Sequence, residues 1–179
     1  MGEKVQMSQD TLFDFLVAHN VKLTRIGELM GMNDANLNAY FQHFNDNHGR
    51  PRKFSAAHIQ KLNEALPVLS QEISACKLTF GSPEVRTNKW GKTYDPGLVE
   101  PLKRVGRYLN LTALAEKVLG WNKRKKSSNI AAKSSKSYGN ITADDAAKVN
   151  AELVAVSAVL GTAEVILPLT DSSSSSSSL

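Results

Sequence analysis

The chain of 179 residues has one cysteine, Cys76, which excludes an internal disulfide framework and fits a reducing compartment. No apolar run approaches the length of a membrane span, and the opening MGEKVQMSQD lacks the apolar stretch of a secretory signal. A cytoplasmic protein without a membrane partner is therefore expected. A Walker-type loop and a dinucleotide glycine fingerprint are both missing. Four histidines, His19, His43, His48 and His58, are not spaced as zinc ligands, and a single cysteine cannot complete such a site. Asp144 and Asp145 fall where a helix begins, a position that the helix dipole explains without metal chemistry. The expectation is a protein with no catalytic residue, no cofactor and no metal.

What the chain does have is an internal copy of itself. LTRIGELMGMN (23–33) returns as LTALAEKVLGWN (111–122). After a variable stretch, residues 54–80 align without a gap against residues 141–167. Identical pairs there include Ala56 with Ala143, Lys61 with Lys148, Asn63 with Asn150, Leu66 with Leu153 and Ser70 with Ser157. Such duplication governs the reading of everything else. It divides the chain into a first copy (1–80), a linker or small hairpin (81–97), a second copy (98–168) and a Ser-rich tail (169–179) expected to be disordered.

Charge separates the copies. Residues 1–80 carry 8 basic and 8 acidic side chains, whereas residues 86–136 carry 13 basic and 3 acidic ones. A local excess of that size points to a polyanionic partner, with a solvated loop face as the plainer explanation.

Helical periodicity and capping residues predict a mainly α fold. Ser8 or Asp10 caps a first helix over TLFDFLVAHN, Thr24 caps a short second one, and Gly31 ends it. Asn33 or Asp34 then caps a third, roughly 35–44, whose stripe is Leu37, Tyr40, Phe41 and Phe44. Ser55 opens a longer helix to about Ser74, which Pro67 should kink or divide. The second copy repeats the plan with a helix near 98–109, a Thr112 cap, a turn at Gly120 and a last helix capped by Thr142. ACKLTF and TAEVIL, which end the two copies, are either last helical turns or short strands that pair with each other. Within the linker, VRTNKWGKTYDPG suggests a hairpin turning at 89–92. Its Trp90 and Tyr94 either join Arg86, Lys89 and Lys92 on a nucleic-acid surface or pin the linker to the body.

The segment Ile26-Gly27-Glu28-Leu29-Met30-Gly31-Met32-Asn33 resembles the LAxxLGVS signature of Cro/repressor-type (XRE-like) helix-turn-helix DNA-binding proteins of bacteria and phages. Leu114-Ala115 fills the first two positions in the second copy, where Leu119 is one residue extra before Gly120-Trp121-Asn122. The resemblance implies two tandem helix-turn-helix units on double-stranded DNA, in a transcriptional regulator that is a pseudo-twofold monomer or a homodimer. It implies that the helix after each turn meets base edges in the major groove. The first copy would then offer Asn33, Asn36, Asn38 and Gln42, with Arg50, Arg52 and Lys53 on phosphates. Lys123, Arg124, Lys125, Lys126, Ser127, Asn129, Lys133 and Lys136 would act in the second. The neutral first copy also admits a different role, a protein-interaction or virion-associated adaptor built on the same helices.

Overall fold

A computed structural model describes residues 3–121 and 141–167. Its elements are a strand β1 (Val5–Met7), helices α1 (Gln9–Ala18), α2 (Thr24–Met30), α3 (Asp34–Phe41) and α4 (Ala56–Ser74), and a hairpin of β2 (Arg86–Thr87) and β3 (Thr93–Tyr94). A 3-10 turn (Pro96–Leu98) leads into α5 (Val99–Val105). The short α6 (Leu111–Ala113) runs directly into a π-helical turn (Leu114–Val118), and α7 (Ala143–Thr162) precedes β4 (Ala163–Val165). The protein is mainly helical, with one parallel and one antiparallel two-stranded sheet among the described residues.

The compact units cut across the repeat. One contains residues 1–71 together with 158–179, and the other contains residues 72–157. The first unit thus takes the C-terminal end of the second copy, and the second unit takes the C-terminal end of the first.

In the first unit, Leu12 and Leu16 of α1, Ile26 of α2, Leu37 and Phe41 of α3, and Leu62, Leu66 and Leu69 of α4 are all buried. Phe41 stacks on Phe13 and meets Phe54 edge-on, each at 5.1 Å between ring centres. Local chemistry sets the helix starts. The Ser8 hydroxyl accepts from Thr11 N–H, and Asn33 Oδ1 accepts from Asn36 N–H at 2.7 Å. Ser55 and His58 cap α4 reciprocally: Ser55 Oγ takes His58 N–H at 3.1 Å, and His58 Nδ1 takes Ser55 N–H at 3.2 Å. Thr24 does not cap α2. The helix begins from Leu23 in helical conformation, so Thr24 lies inside the first turn and its hydroxyl donates to Asp34 at 3.4 Å.

Helix α3 stops at Phe41, short of the expected Phe44, because the chain turns at His43 (φ +58°). Phe44 is consequently half exposed rather than part of the inward stripe. Pro67 does not divide α4, which is continuous from Ala56 to Ser74. Its missing N–H removes one donor, the one that would have met the Asn63 carbonyl.

The C-terminal ends do not pair with each other as strands. β4 pairs in parallel with β1, Val5 opposite Ala163 and Met7 opposite Val165. The ACKLTF segment is not a strand; its Leu78 N–H and carbonyl are both bonded to the Asn150 side chain. In the first unit α4 and the end of α7 approach closely at Ser70 and Gly161, where a Cβ on Gly161 would lie 2.9 Å from the Ser70 hydroxyl.

In the second unit, Leu102 and Val105 of α5, Leu109, Ile141, and Val149, Leu153 and Val156 of α7 form the buried set. The helix expected over 98–109 is shorter. Asp95 caps the 3-10 turn by accepting from Gly97 N–H at 2.9 Å, and α5 ends at Val105 with Gly106 as its C-cap. Asn110, not Thr112, caps α6: Asn110 is extended and its Oδ1 takes Ala113 N–H at 3.0 Å, which leaves Thr112 inside the turn. Thr142 and Asp145 exchange capping bonds at 3.2 Å to open α7.

Candidate nucleic-acid interface

Both glycine turns are built alike. In the first copy Gly31 is left-handed (φ +76°), and Met32 N–H reaches back to the Gly27 carbonyl at 2.8 Å. In the second, Gly120 is left-handed (φ +70°), and Trp121 N–H reaches the Ala115 carbonyl at 2.8 Å. The additional residue, Leu119, is absorbed upstream by the π turn, where Leu119 N–H bonds the Leu114 carbonyl at 3.1 Å. A π turn holds one residue more than an α turn over the same length, so the insertion does not displace the glycine.

Helix α3 follows the first turn. Leu37 and Phe41 face inward, and Ala35, Asn36 and Gln42 are exposed. The amide oxygen of Asn33 is committed to capping, and Asn38 accepts from Gln42 at 2.9 Å, one turn along the helix. Lys22, Leu23, Thr24, Asp34, Ala35 and Asn38 line an open hollow of about 470 Å³ beside this helix. Lys22 is an exposed cation at that hollow that the motif does not point to, because it precedes the first motif residue.

The loop after α3 is organised internally. Asp46 accepts from the backbone N–H groups of Arg50 (3.1 Å) and His48 (2.8 Å), which hold its carboxyl below the usual aspartate range. Arg52 donates from its guanidinium to the carbonyls of Phe44 and Asn45 and is half-buried. Arg50 and Lys53 are exposed. His43 ties the loop to α1, with Nε2 3.1 Å from the Asp10 carboxylate and Nδ1 3.0 Å from the Arg52 carbonyl.

The second unit holds the described part of the basic segment. Arg86, Lys89 and Lys92 are exposed on the hairpin, and Lys103, Arg104 and Arg107 are exposed on or just after α5. Lys103 pairs with Glu100 at 3.2 Å. Tyr108 donates to Glu72 at 3.1 Å, and burial together with that carboxylate raises its pKa. Burial also raises the Cys76 thiol, against the opposing charges of Arg104 and Arg107. Lys123, Arg124, Lys125, Lys126, Ser127, Asn129, Lys133 and Lys136 lie outside the described residues, as does the Ser-rich tail.

Asp95 anchors the chain at the base of the hairpin. It is fully buried, and its carboxylate accepts from Gly81 N–H (3.0 Å), Ser82 N–H (2.9 Å), Gly97 N–H (2.9 Å) and the Ser82 hydroxyl. Burial alone would raise its pKa, but these donors outweigh it and the net shift is downward. Among the described residues no cluster of His, Cys, Asp or Glu could hold a metal ion, and no helix is long and apolar enough to cross a membrane.

No protein-family model, no curated protein and no solved structure matches this chain.

Proposed function

We propose that this protein binds double-stranded DNA without catalysis, as a bacterial or phage-type transcriptional regulator carrying two helix-turn-helix units in one chain. The observation that carries the reading is the turn at Gly120. A one-residue insertion that would disrupt the motif is taken up in a π turn, and the left-handed glycine with its 2.8 Å closing bond is retained. A turn kept in shape at both copies suits a role in which the following segment is presented at a fixed angle. The excess of basic residues over 86–136 supplies the attraction to phosphate.

A second reading rests on the first copy. Asn33, Asn38 and Arg52 spend hydrogen bonds within the protein, and Asp34 stands at the start of α3. That surface suits docking of a protein better than docking of a polyanion, as an adaptor would use it.

Fluorescence anisotropy with a labelled random-sequence duplex, repeated over a range of salt, separates the two. The DNA reading expects a log-log salt slope of about −4 to −8, from roughly five to nine phosphates. Binding should be lost when Lys123, Arg124, Lys125 and Lys126 are all replaced by alanine. Absence of binding at low salt overturns it in favour of the adaptor.

A further inference from the structure

Trp90 is 79% exposed, the most exposed large apolar side chain among the described residues. A ring so open to water pins nothing, so the linker-anchoring explanation fails for it. The turn that carries the ring is nevertheless closed by hydrogen bonds. Asn88 Oδ1 accepts from the backbone N–H groups of Trp90 and Lys92, both at 2.9 Å. Asn88 N–H meets the Lys92 carbonyl at 2.9 Å, Gly91 N–H returns to the Asn88 carbonyl at 3.0 Å, and Gly91 takes the required positive φ of 80°. Behind the tip the hydroxyls of Thr87 and Thr93 bond across the strands at 3.2 Å. Lys89 Nζ sits 4.7 Å from the indole centre, over one face of the ring.

The surroundings select the partner. Residues 86–94 contain Arg86, Lys89 and Lys92 and no carboxylate, and the ring's neighbours are Asn, Lys, Gly and Thr. An apolar protein surface would gain one ring and lose the hydration of three cations. A polyanion carrying flat aromatic groups satisfies both parts of the tip. An intact duplex has its base faces stacked on one another, whereas a single strand leaves them open.

We propose that the tip of the β2–β3 hairpin is a stacking contact for single-stranded or locally unpaired nucleic acid, with Trp90 taking one base and Arg86, Lys89 and Lys92 taking the flanking phosphates. This rests on the nucleic-acid reading of the chain but not on the segments that follow Gly31 and Gly120.

The test uses the full chain and a labelled oligothymidine of about 12 nucleotides, within the span one such surface occupies. Replacing Trp90 with leucine should weaken binding of the oligothymidine about tenfold, the loss of one aromatic stack. The melting temperature and the affinity for a blunt duplex should stay as they are. Saturating oligothymidine should also shield tryptophan emission from iodide in the wild type and not in Trp90→Leu. Equal oligothymidine affinity in the two proteins overturns the proposal, as does unchanged iodide access at saturation or no binding of the oligothymidine. The quadruple alanine variant of residues 123–126 keeps the two ideas apart. If it loses duplex binding but still shields Trp90, the hairpin contact stands alone. If duplex binding survives in the wild type with no effect at Trp90, only the hairpin contact fails.

Discussion

Asn63 grips the backbone of Val165: its Nδ2 donates to the Val165 carbonyl at 2.9 Å, and its Oδ1 accepts from the Val165 N–H at 2.7 Å. The mate of Asn63 in the repeat is Asn150, and the mate of Val165 is Leu78. Asn150 makes the same pair of bonds to Leu78, at 2.8 and 2.7 Å. Each asparagine therefore holds the end of the other copy, the same exchange that defines the two compact units. A side-chain amide carries its donor and its acceptor on separate atoms, so one asparagine can meet both the N–H and the carbonyl of a single residue.

Replacing either asparagine with alanine should accordingly leave a backbone donor and acceptor unpaired in part-buried surroundings. The expected loss is about 2–3 kcal/mol for each variant, read from urea unfolding. Asn47→Ala, at an exposed loop position, is the control and should change little. A loss at Asn63 with none at Asn150 would mean that the second pair of bonds adds nothing to stability.

The asparagine pairing shows what was legible in the sequence and what was not. The gapless alignment of 54–80 with 141–167 identified Asn63 and Asn150 as equivalents, but alignment says nothing about partners. The segment ending in Val165 reads as β-prone, yet three residues do not specify which edge they join. Its partner, Val5–Met7, is too short and too exposed to announce itself by alternation. The helices were legible because their buried faces recur at helical spacing, as at Leu62, Leu66, Leu69 and Ile73. The hairpin turn was legible from its glycine. Of the candidate interface, Asn33, Asn36, Gln42 and the hairpin cations lie exposed, and Asn38 is half-buried. Arg52 is drawn into bracing its own loop, through bonds to carbonyls that composition does not reveal.

Gly27 should not tolerate a methyl group. A Cβ there would overlap the carbonyl oxygen of Met32, a backbone atom held by the turn. The second copy carries Ala115 at the matching position, where the π turn adds a residue between that alanine and Gly120. Gly27→Ala is expected to cost about 1–3 kcal/mol through overpacking. Gly31→Ala meets open space and costs about 1–2 kcal/mol through its left-handed backbone alone. Thermal unfolding of the two variants checks both, and a neutral Gly27→Ala would mean that the α2–α3 turn is looser than its geometry.

The start of α6 distinguishes two neighbouring polar residues. Asn110 supplies the oxygen that takes Ala113 N–H, whereas Thr112 lies one position inside the first turn. Asn110→Ala should lose about 1 kcal/mol, the worth of an N-cap, and Thr112→Ala should lose much less. Denaturant midpoints give the comparison directly. The reverse order would restore the threonine to the capping role that the sequence pattern first suggests.

Asp95 makes stability depend on pH in a defined direction. Its folded pKa is lowered by Ser82, Gly81 and Gly97 despite full burial, so protons bind more readily to the unfolded chain than to the folded one. The contribution is then fully present above the ordinary aspartate value of about 3.9 and declines as pH falls through the lowered value in the folded state. Asp95→Asn keeps the shape but replaces one acceptor with a donor that faces other donors, at a cost of about 3 kcal/mol near neutral pH. Urea unfolding of both proteins from pH 7 to pH 3 should show their difference constant down to about pH 4 and narrowing below it. A difference that stays constant to pH 3 would place the carboxylate's proton affinity elsewhere than its four donors dictate, and the hairpin base would owe its order to packing rather than to Asp95.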